Sequence, residues 1–172
     1  MSNTTTEEQR RHFPAGPVTS RAEFQAAVRT FIREASPAGV RHMWWVSPDF
    51  AEWPLDEPEL LDALMHWARA PGVRITWVCQ DFERVRRAMP RLTRWRQTFS
   101  HVLSCRMPEE VAVTDMPTLL VSDQLAVLRL MDRERVRGYV RVEPADVQHA
   151  HEEIDVILQR SSDAFPAVTL GL

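Results

Sequence analysis

The sequence predicts an α/β protein built on one mixed sheet, with helices on both faces. Up to about residue 107, apolar runs of strand length alternate with amphipathic stretches of helical length. That α-β-α-β-α-β rhythm implies parallel strands joined by right-handed crossovers. Between Pro117 and Val142, three apolar runs follow one another across short polar turns, as antiparallel neighbours do. An amphipathic helix opening at Pro144 then closes the pattern.

Residues 1–17 are polar, carry Pro14 and Pro17, and are expected to be disordered, leaving residues 18–172 as one domain. Ser20 followed three residues later by Glu23 is a capping box, after which Phe24, Val28, Phe31, Ile32 and Ala35 recur at helical spacing. Pro37 and Gly39 end this helix, and "VRHMWWV" (Val40 to Val46) reads as a buried strand. After the turn-rich "SPDFAEWPLDEP", Asp56 is placed to cap a second helix with Pro58 in its first turn. That helix presents Leu60, Leu61, Leu64, Trp67 and Ala68 and stops at Pro71-Gly72. "VRITWVC" (Val73 to Cys79) is the next strand. A third helix is expected from about Asp81 to Ser100, with Phe82, Val85, Met89, Leu92, Trp95 and Phe99 inward and Pro90 kinking or splitting it. "HVLSCRM" is a short strand, and the close antiparallel runs are 117–121, 125–131 and 137–142. The last helix turns Val147, Ala150, Ile154, Ile157 and Leu158 inward, and an apolar tail, 164–172, ends the sequence.

With 172 residues, 44% of them hydrophobic and 26% charged, the chain matches one domain with a substantial core. A formal net charge of −3 supplies no general field for nucleic acid or membrane, so neither partner is expected on that ground. No apolar run approaches the roughly 18–20 residues of a bilayer span, and the polar start lacks the apolar stretch of a secretory signal. Cys79 and Cys105 lie in apolar runs without metal-type spacing, which suggests buried thiols in a reducing cytoplasm. All 21 basic residues are arginine. Arginine stays protonated and is a poor nucleophile or base, which excludes lysine Schiff-base chemistry and the usual phosphate-loop NTPase site. No cofactor is implied.

Three clusters are candidate sites. Arg84, Arg87, Arg91 and Arg94 follow helical spacing and are expected to share a face suited to phosphates, with a solvated, acid-paired helix face as the plainer reading. Trp45, Asp49 and Trp53 gather near the end of the first long strand, where open α/β sheets favour ligands; core packing is the alternative. In "HAHEEIDV", His149 with Glu153 and His151 with Asp155 stand four apart, but two ligands do not make a metal site, and no metal is expected.

The stretch "MPTLLVSD", Met116 to Asp123, resembles the late hairpin motif of the phospholipase D-like superfamily, His-x-Lys-x4-Asp. Over residues 20–172 the chain looks like one half of a phospholipase D-like fold, similar to an uncharacterised family of proteobacteria, with "RSSDAFPAVTLGL" contributing most to the likeness. In the superfamily the histidine is the nucleophile, the lysine binds phosphate and the aspartate lies in the turn. Here Asp123 matches the aspartate, whereas Met116 and Thr118 occupy the histidine and lysine positions. A thioether cannot form a phosphohistidine-type intermediate and a threonine carries no positive charge, so no catalytic residue is assigned. Loss of the nucleophile alone removes several orders of magnitude of rate. Asp123 is expected to act as a turn residue bonded to its own backbone.

The resemblance therefore implies a non-catalytic domain that binds a ligand, such as an anion, or a partner. The alternative is a phosphodiesterase or other hydrolase using Asp115, Asp123 and His101. One phospholipase D-like half leaves a face that a second half usually covers, so a homodimer is expected, with Phe165, Val168, Leu170 and Leu172 of the tail at or near the interface.

Overall fold

The computed structural model describes residues 2–109 and 115–167. One mixed sheet of eight strands runs through it: β1 (Gly16–Val18), β2 (His42–Val46), β3 (Arg74–Val78), β4 (Leu103–Pro108), β5 (Thr118–Ser122), β6 (Ala126–Asp132), β7 (Arg137–Arg141) and β8 (Ser161–Asp163). The spatial order is β1-β7-β6-β5-β2-β3-β4-β8. β2, β3 and β4 are parallel, and β5 lies antiparallel against β2, so the sheet changes character at the β2–β5 seam. The mixed α/β architecture read from the sequence is the architecture found.

Alternate side chains of the central strands feed two apolar layers, which is why these strands read as nearly unbroken apolar runs. Met43, Trp45, Ile75, Trp77, Leu120 and Leu128 enter the larger layer. It is covered by α2 (Arg21–Glu34), α3 (Pro58–Ala68), α4 (Phe82–Ala88) and α5 (Pro90–Thr98). Val46, Val78, Leu119, Val121 and Val127 enter the smaller layer, under Val147, Ala150 and Ile154 of α6 (Pro144–Gln159).

The start of the chain corrects the expectation of disorder over 1–17. Residues Ser2–Arg10 form α1, and β1 pairs antiparallel with β7. A single apolar anchor suffices: Phe13 is 1% exposed and packs on Phe31 with ring centroids 4.9 Å apart. Gln9 Nε2 donates to the Ala38 carbonyl at 2.8 Å, and His12 meets Glu34 at 2.6 Å. One aromatic and three edge-strand residues are too little to stand out in a polar window, but the backbone pairing to β7 holds them.

The break at Pro90 is complete. α4 ends at Ala88, Met89 leaves the helical region at φ −129°, ψ 67°, and Pro90 opens α5 at its first position, where a missing N–H costs nothing. Asp56 does not cap α3, whose N-cap is Glu57 without a side-chain cap bond. Its Oδ1 instead accepts from Leu92 N at 2.8 Å, supplying α5 with a cap from 36 residues away. Asp56→Ala should therefore lower stability by about 1 kcal/mol through fraying of α5 rather than α3. Urea unfolding with an unchanged m-value, and faster amide exchange confined to residues 91–93, would mark the loss; faster exchange at the start of α3 would place the cap there.

Candidate functional site at the carboxyl edge of the parallel strands

Beyond Val46 the chain turns through Ser47, Pro48 and Asp49 and is pinned to the neighbouring strand. Ser47 N donates to Val78 O at 3.1 Å, and Pro48 O accepts from Gln80 N at 3.1 Å. Ser47 Oγ accepts from Phe50 N, and Asp49 Oδ1 accepts from Ala51 N, the local bonds that Ser and Asp make in turns. Phe50 closes the turn at φ 56°, a left-handed conformation held by burial of its ring against Trp53 and Trp77. The result fixes Asp49 at the mouth of a cavity of about 70 Å³ lined by Ser47, Asp49, Trp53, Thr118, Leu130 and Arg133.

Two cations converge on Asp49. Arg133, from the β6–β7 turn, reaches Oδ1 at 2.8 Å, and Arg84, from the first turn of α4, reaches Oδ2 at 3.3 Å. Asp49 with its two arginines sums to one positive charge; Glu52, also in the cavity wall, adds a carboxylate that Arg21 pairs at 2.7 Å, and the two guanidinium groups on Asp49 keep donors for an anion. Arg84 also borders a second, open cavity of about 450 Å³ with Asp81, Glu83 and Arg87. Of the residues lining the small cavity, Thr118 and Trp53 keep buried polar atoms, Oγ1 and Nε1, that make no hydrogen bond.

Met116, Thr118 and Asp123, the three positions compared with the motif, are placed apart. Met116 is 2% exposed in the layer beneath α6. Thr118 is 3% exposed and lines the cavity on the opposite face. A cation, Arg133 of the β6–β7 turn, lines the same cavity as Thr118. Asp123 lies about five residues further along β5, roughly 16 Å away at strand rise. It adopts φ 46° and does not bond its own backbone as expected. Its carboxylate accepts from Arg41 N at 2.7 Å and His42 N at 2.9 Å, which fastens the β5–β6 turn to the start of β2.

The other candidate residues are placed as follows. Trp45 is fully buried against Trp77 and lines no part of the cleft, whereas Asp49 and Trp53 do. Arg84, Arg87, Arg91 and Arg94 do not share one helix face, because the break at Met89 divides them between α4 and α5. Arg84 pairs with Asp49 and Arg91 with Asp56; Arg87 and Arg94 are exposed and form no ion pair with the described residues. Glu153 is taken by Arg129, and the His151 ring turns to the Asp123 carbonyl at 2.6 Å. Among the described residues no three of His, Cys, Asp and Glu come together as a metal-binding group. Asp115 precedes β5 at the cleft edge of the sheet, while His101, ahead of β4, and Asp123, after β5, lie at the opposite edge. Arg133 and Ser47 are the cleft residues that sequence reasoning missed; the Ser-Pro-Asp turn was readable, but nothing local couples it to the β6–β7 turn.

At the edge opposite the cleft, His42 stacks on Trp44 (centroids 3.6 Å, 18°), meets Thr76 Oγ1 at 2.8 Å, and lies near His151, which is edge-on to Trp44. Burial, with Arg74 and His151 adding like charge, pushes the His42 pKa down to about 4.

With these elements in place the architecture is that of a phospholipase D-like fold. Nuc of Salmonella typhimurium, a phospholipase D family member, aligns over 82% of this chain and 90% of that chain, with a TM-score of 0.50 and 10% identity. TrmBL2, an archaeal chromatin protein whose structure shows a novel mode of DNA binding, aligns over 87% of this chain with a TM-score of 0.61 and 11% identity. The chain spans about half of TrmBL2, 54% of its length. At such identities the likeness is one of fold. Residues 20–165 match the family described as Domain of unknown function (DUF7931), and the chain belongs to that family. No curated protein matches it.

The His42 environment gives a signed pH dependence. The folded ring takes a proton only near pH 4, whereas the unfolded residue titrates near 6.5, so the unfolded chain binds protons first as pH falls. This contribution to stability is complete above about pH 6.5 and is lost toward pH 4, by on the order of 2 kcal/mol after allowance for solvent at the half-buried ring. His42→Gln, which retains a partner for Thr76, should flatten the urea midpoint across that window; an undiminished slope would assign the effect to other groups.

Proposed function

We propose that this protein is a non-catalytic phospholipase D-like domain that binds a small anionic ligand at the Asp49–Arg84–Arg133 cleft, as an accessory to other proteins. The observation that carries the reading is the fate of the motif. The histidine position holds a methionine buried beneath α6, and the lysine position holds a threonine whose neighbouring cation, Arg133, is already balanced by Asp49. Such a cleft offers charge and hydrogen-bond donors without an evident nucleophile. The buried free thiols Cys79 and Cys105 suit a reducing cytoplasm. Among the described residues no helix is long and apolar enough to cross a membrane.

A second reading, binding of a nucleic-acid backbone along α4 and α5, draws on exposed, unpaired Arg87 and Arg94 and on the DNA binding of TrmBL2. The homodimer is also kept as a proposal, although Phe165 contributes nothing to it: its ring is buried in a groove of its own domain, stacked on Phe82 at 5.1 Å. Val168, Leu170 and Leu172 lie outside the described residues. Light scattering at micromolar concentration checks the dimer, and a monomer there refutes it.

Charge changes at the cleft should have opposite signs. Arg133→Ala should weaken retention on an immobilised phosphate resin, and Asp49→Asn, which releases both guanidinium groups, should strengthen it, each by several-fold at low salt and less as salt rises. Neither the wild type nor these variants should hydrolyse bis(p-nitrophenyl) phosphate above buffer, with or without divalent cations. Turnover by the wild type that disappears in Arg133→Ala would replace the binding reading with a catalytic one. Retention unaffected at the cleft but abolished by Arg87→Glu with Arg94→Glu would move the site to the helices.

A further inference from the structure

Arg96 is the most anomalous charge in the molecule. It projects from α5 into the core and is 7% exposed. Among the described residues no carboxylate pairs with it. Its Nη2 donates to the Phe165 carbonyl at 3.1 Å, while Nε and Nη1 are buried and make no hydrogen bond. An isolated guanidinium taken out of water loses several kcal/mol of solvation that one carbonyl does not restore. Asp163, which shares a cavity lining with Arg96, is committed elsewhere: its side chain is 92% exposed and paired with Arg106 at 2.7 Å.

Two cavities meet at this side chain. One, of about 490 Å³, is lined by Arg96 with Leu103, Ser104, Cys105, Asp163, Ala164 and Pro166; the Asp163 carboxylate in this lining is paired with Arg106. The other, of about 140 Å³, is lined by Arg96 with Arg86, Thr93, Gln97 and Phe165. Residues 164–167 run between them as a strap. The strap is held by Ala164 N donating to Cys105 O at 3.0 Å, by the Phe165 ring against Phe82, and by the carbonyl that touches Arg96. Phe165 sits at φ 49°, a conformation that a bulky L-residue adopts only at a cost. The thiol beside Arg96 supplies no counter-charge, since burial pushes Cys105 up to about 11 even with the guanidinium pulling it down.

We propose that Arg96 anchors a second ligand site, separate from the Asp49 cleft, that takes an oxyanion carried on a small apolar body. The oxyanion, a carboxylate or a phosphate monoester, accepts from the guanidinium in place of the Phe165 carbonyl, and the apolar body lies along Leu103, Cys105 and Pro166. The strap yields locally at Phe165, where the backbone is already strained. Charge complementarity selects the oxyanion, and the apolar lining selects against free inorganic ions.

Titration calorimetry on the full chain tests this with two probes, hexanoate and hexyl phosphate, and with inorganic phosphate as the bare ion. The wild type should bind one of the two alkyl probes saturably and at least tenfold more tightly than inorganic phosphate; which one binds distinguishes carboxylate from phosphate. Arg96→Met should weaken that binding at least tenfold, Arg96→Lys should retain part of it, and Arg133→Ala should leave it within twofold. Without ligand, Arg96→Met should unfold at a urea concentration equal to or above that of the wild type, because a buried unpaired charge has been removed. If Arg96→Met does not fold, Arg96→Gln serves as the variant. No saturable binding of either alkyl probe by the wild type, or binding that survives loss of Arg96 and disappears in Arg133→Ala, would overturn the proposal.

Discussion

Three hydrogen bonds between Asp123 and the start of β2 close the end of the β2–β5 ladder that joins the two halves of the sheet. The carboxylate accepts from the amides of Arg41 and His42, and the Asp123 amide donates to the His42 carbonyl at 2.9 Å. They lie where the parallel half meets the antiparallel half, and they fix Ser122 opposite Met43 and Leu119 opposite Val46. A slip of one residue would exchange the two faces of β5. Leu119 and Val121 would then point away from α6, Thr118 would leave the cleft, and the wall facing Arg133 would be lost. The aspartate therefore sets the geometry of a site it never touches.

The charged centre of the cleft is held independently of the strand that faces it. Asp49 is held by its own turn and by two arginines from separate elements, so its position does not depend on what occupies the motif strand. Met116 lies with Val46 and Val78 in an apolar layer, where a histidine would need a hydrogen-bond partner that the layer does not offer. The left-handed Phe50 and the unbonded Thr118 hydroxyl concentrate local cost at this edge of the sheet, as functional sites commonly do.

The strands β2 to β7, the helices α2 to α6, the change from parallel to antiparallel pairing and the break at Pro90 are legible in the sequence, because each depends on apolar spacing or on one residue's backbone chemistry. What was hidden depends on pairs distant in sequence. Arg133 and Asp49 are 84 residues apart, and Asp56 caps a helix 36 residues away, so neither stretch carries a local sign of its partner. The arginine face appeared continuous because spacing was counted through a residue, Met89, that leaves the helix. The early pairing at Gly16–Val18 was obscured for a related reason: backbone hydrogen bonds to β7 have no side-chain signature, and Phe13 was one apolar residue among polar ones.

The sheet ends in two very short strands. β1 has three residues, with Pro17 at its centre, and β8 has three, Ser-Ser-Asp, beside the Arg106–Asp163 pair. A proline cannot donate to a further strand, and a short, charged edge offers an incoming chain few backbone groups to pair with. Copies of this domain are thus discouraged from joining sheet to sheet into open-ended ribbons, even though the central strands β2, β3 and β5 feed apolar layers on both faces. Assembly is thereby directed to loops and helix faces, with the central apolar strands shielded at both ends of the sheet.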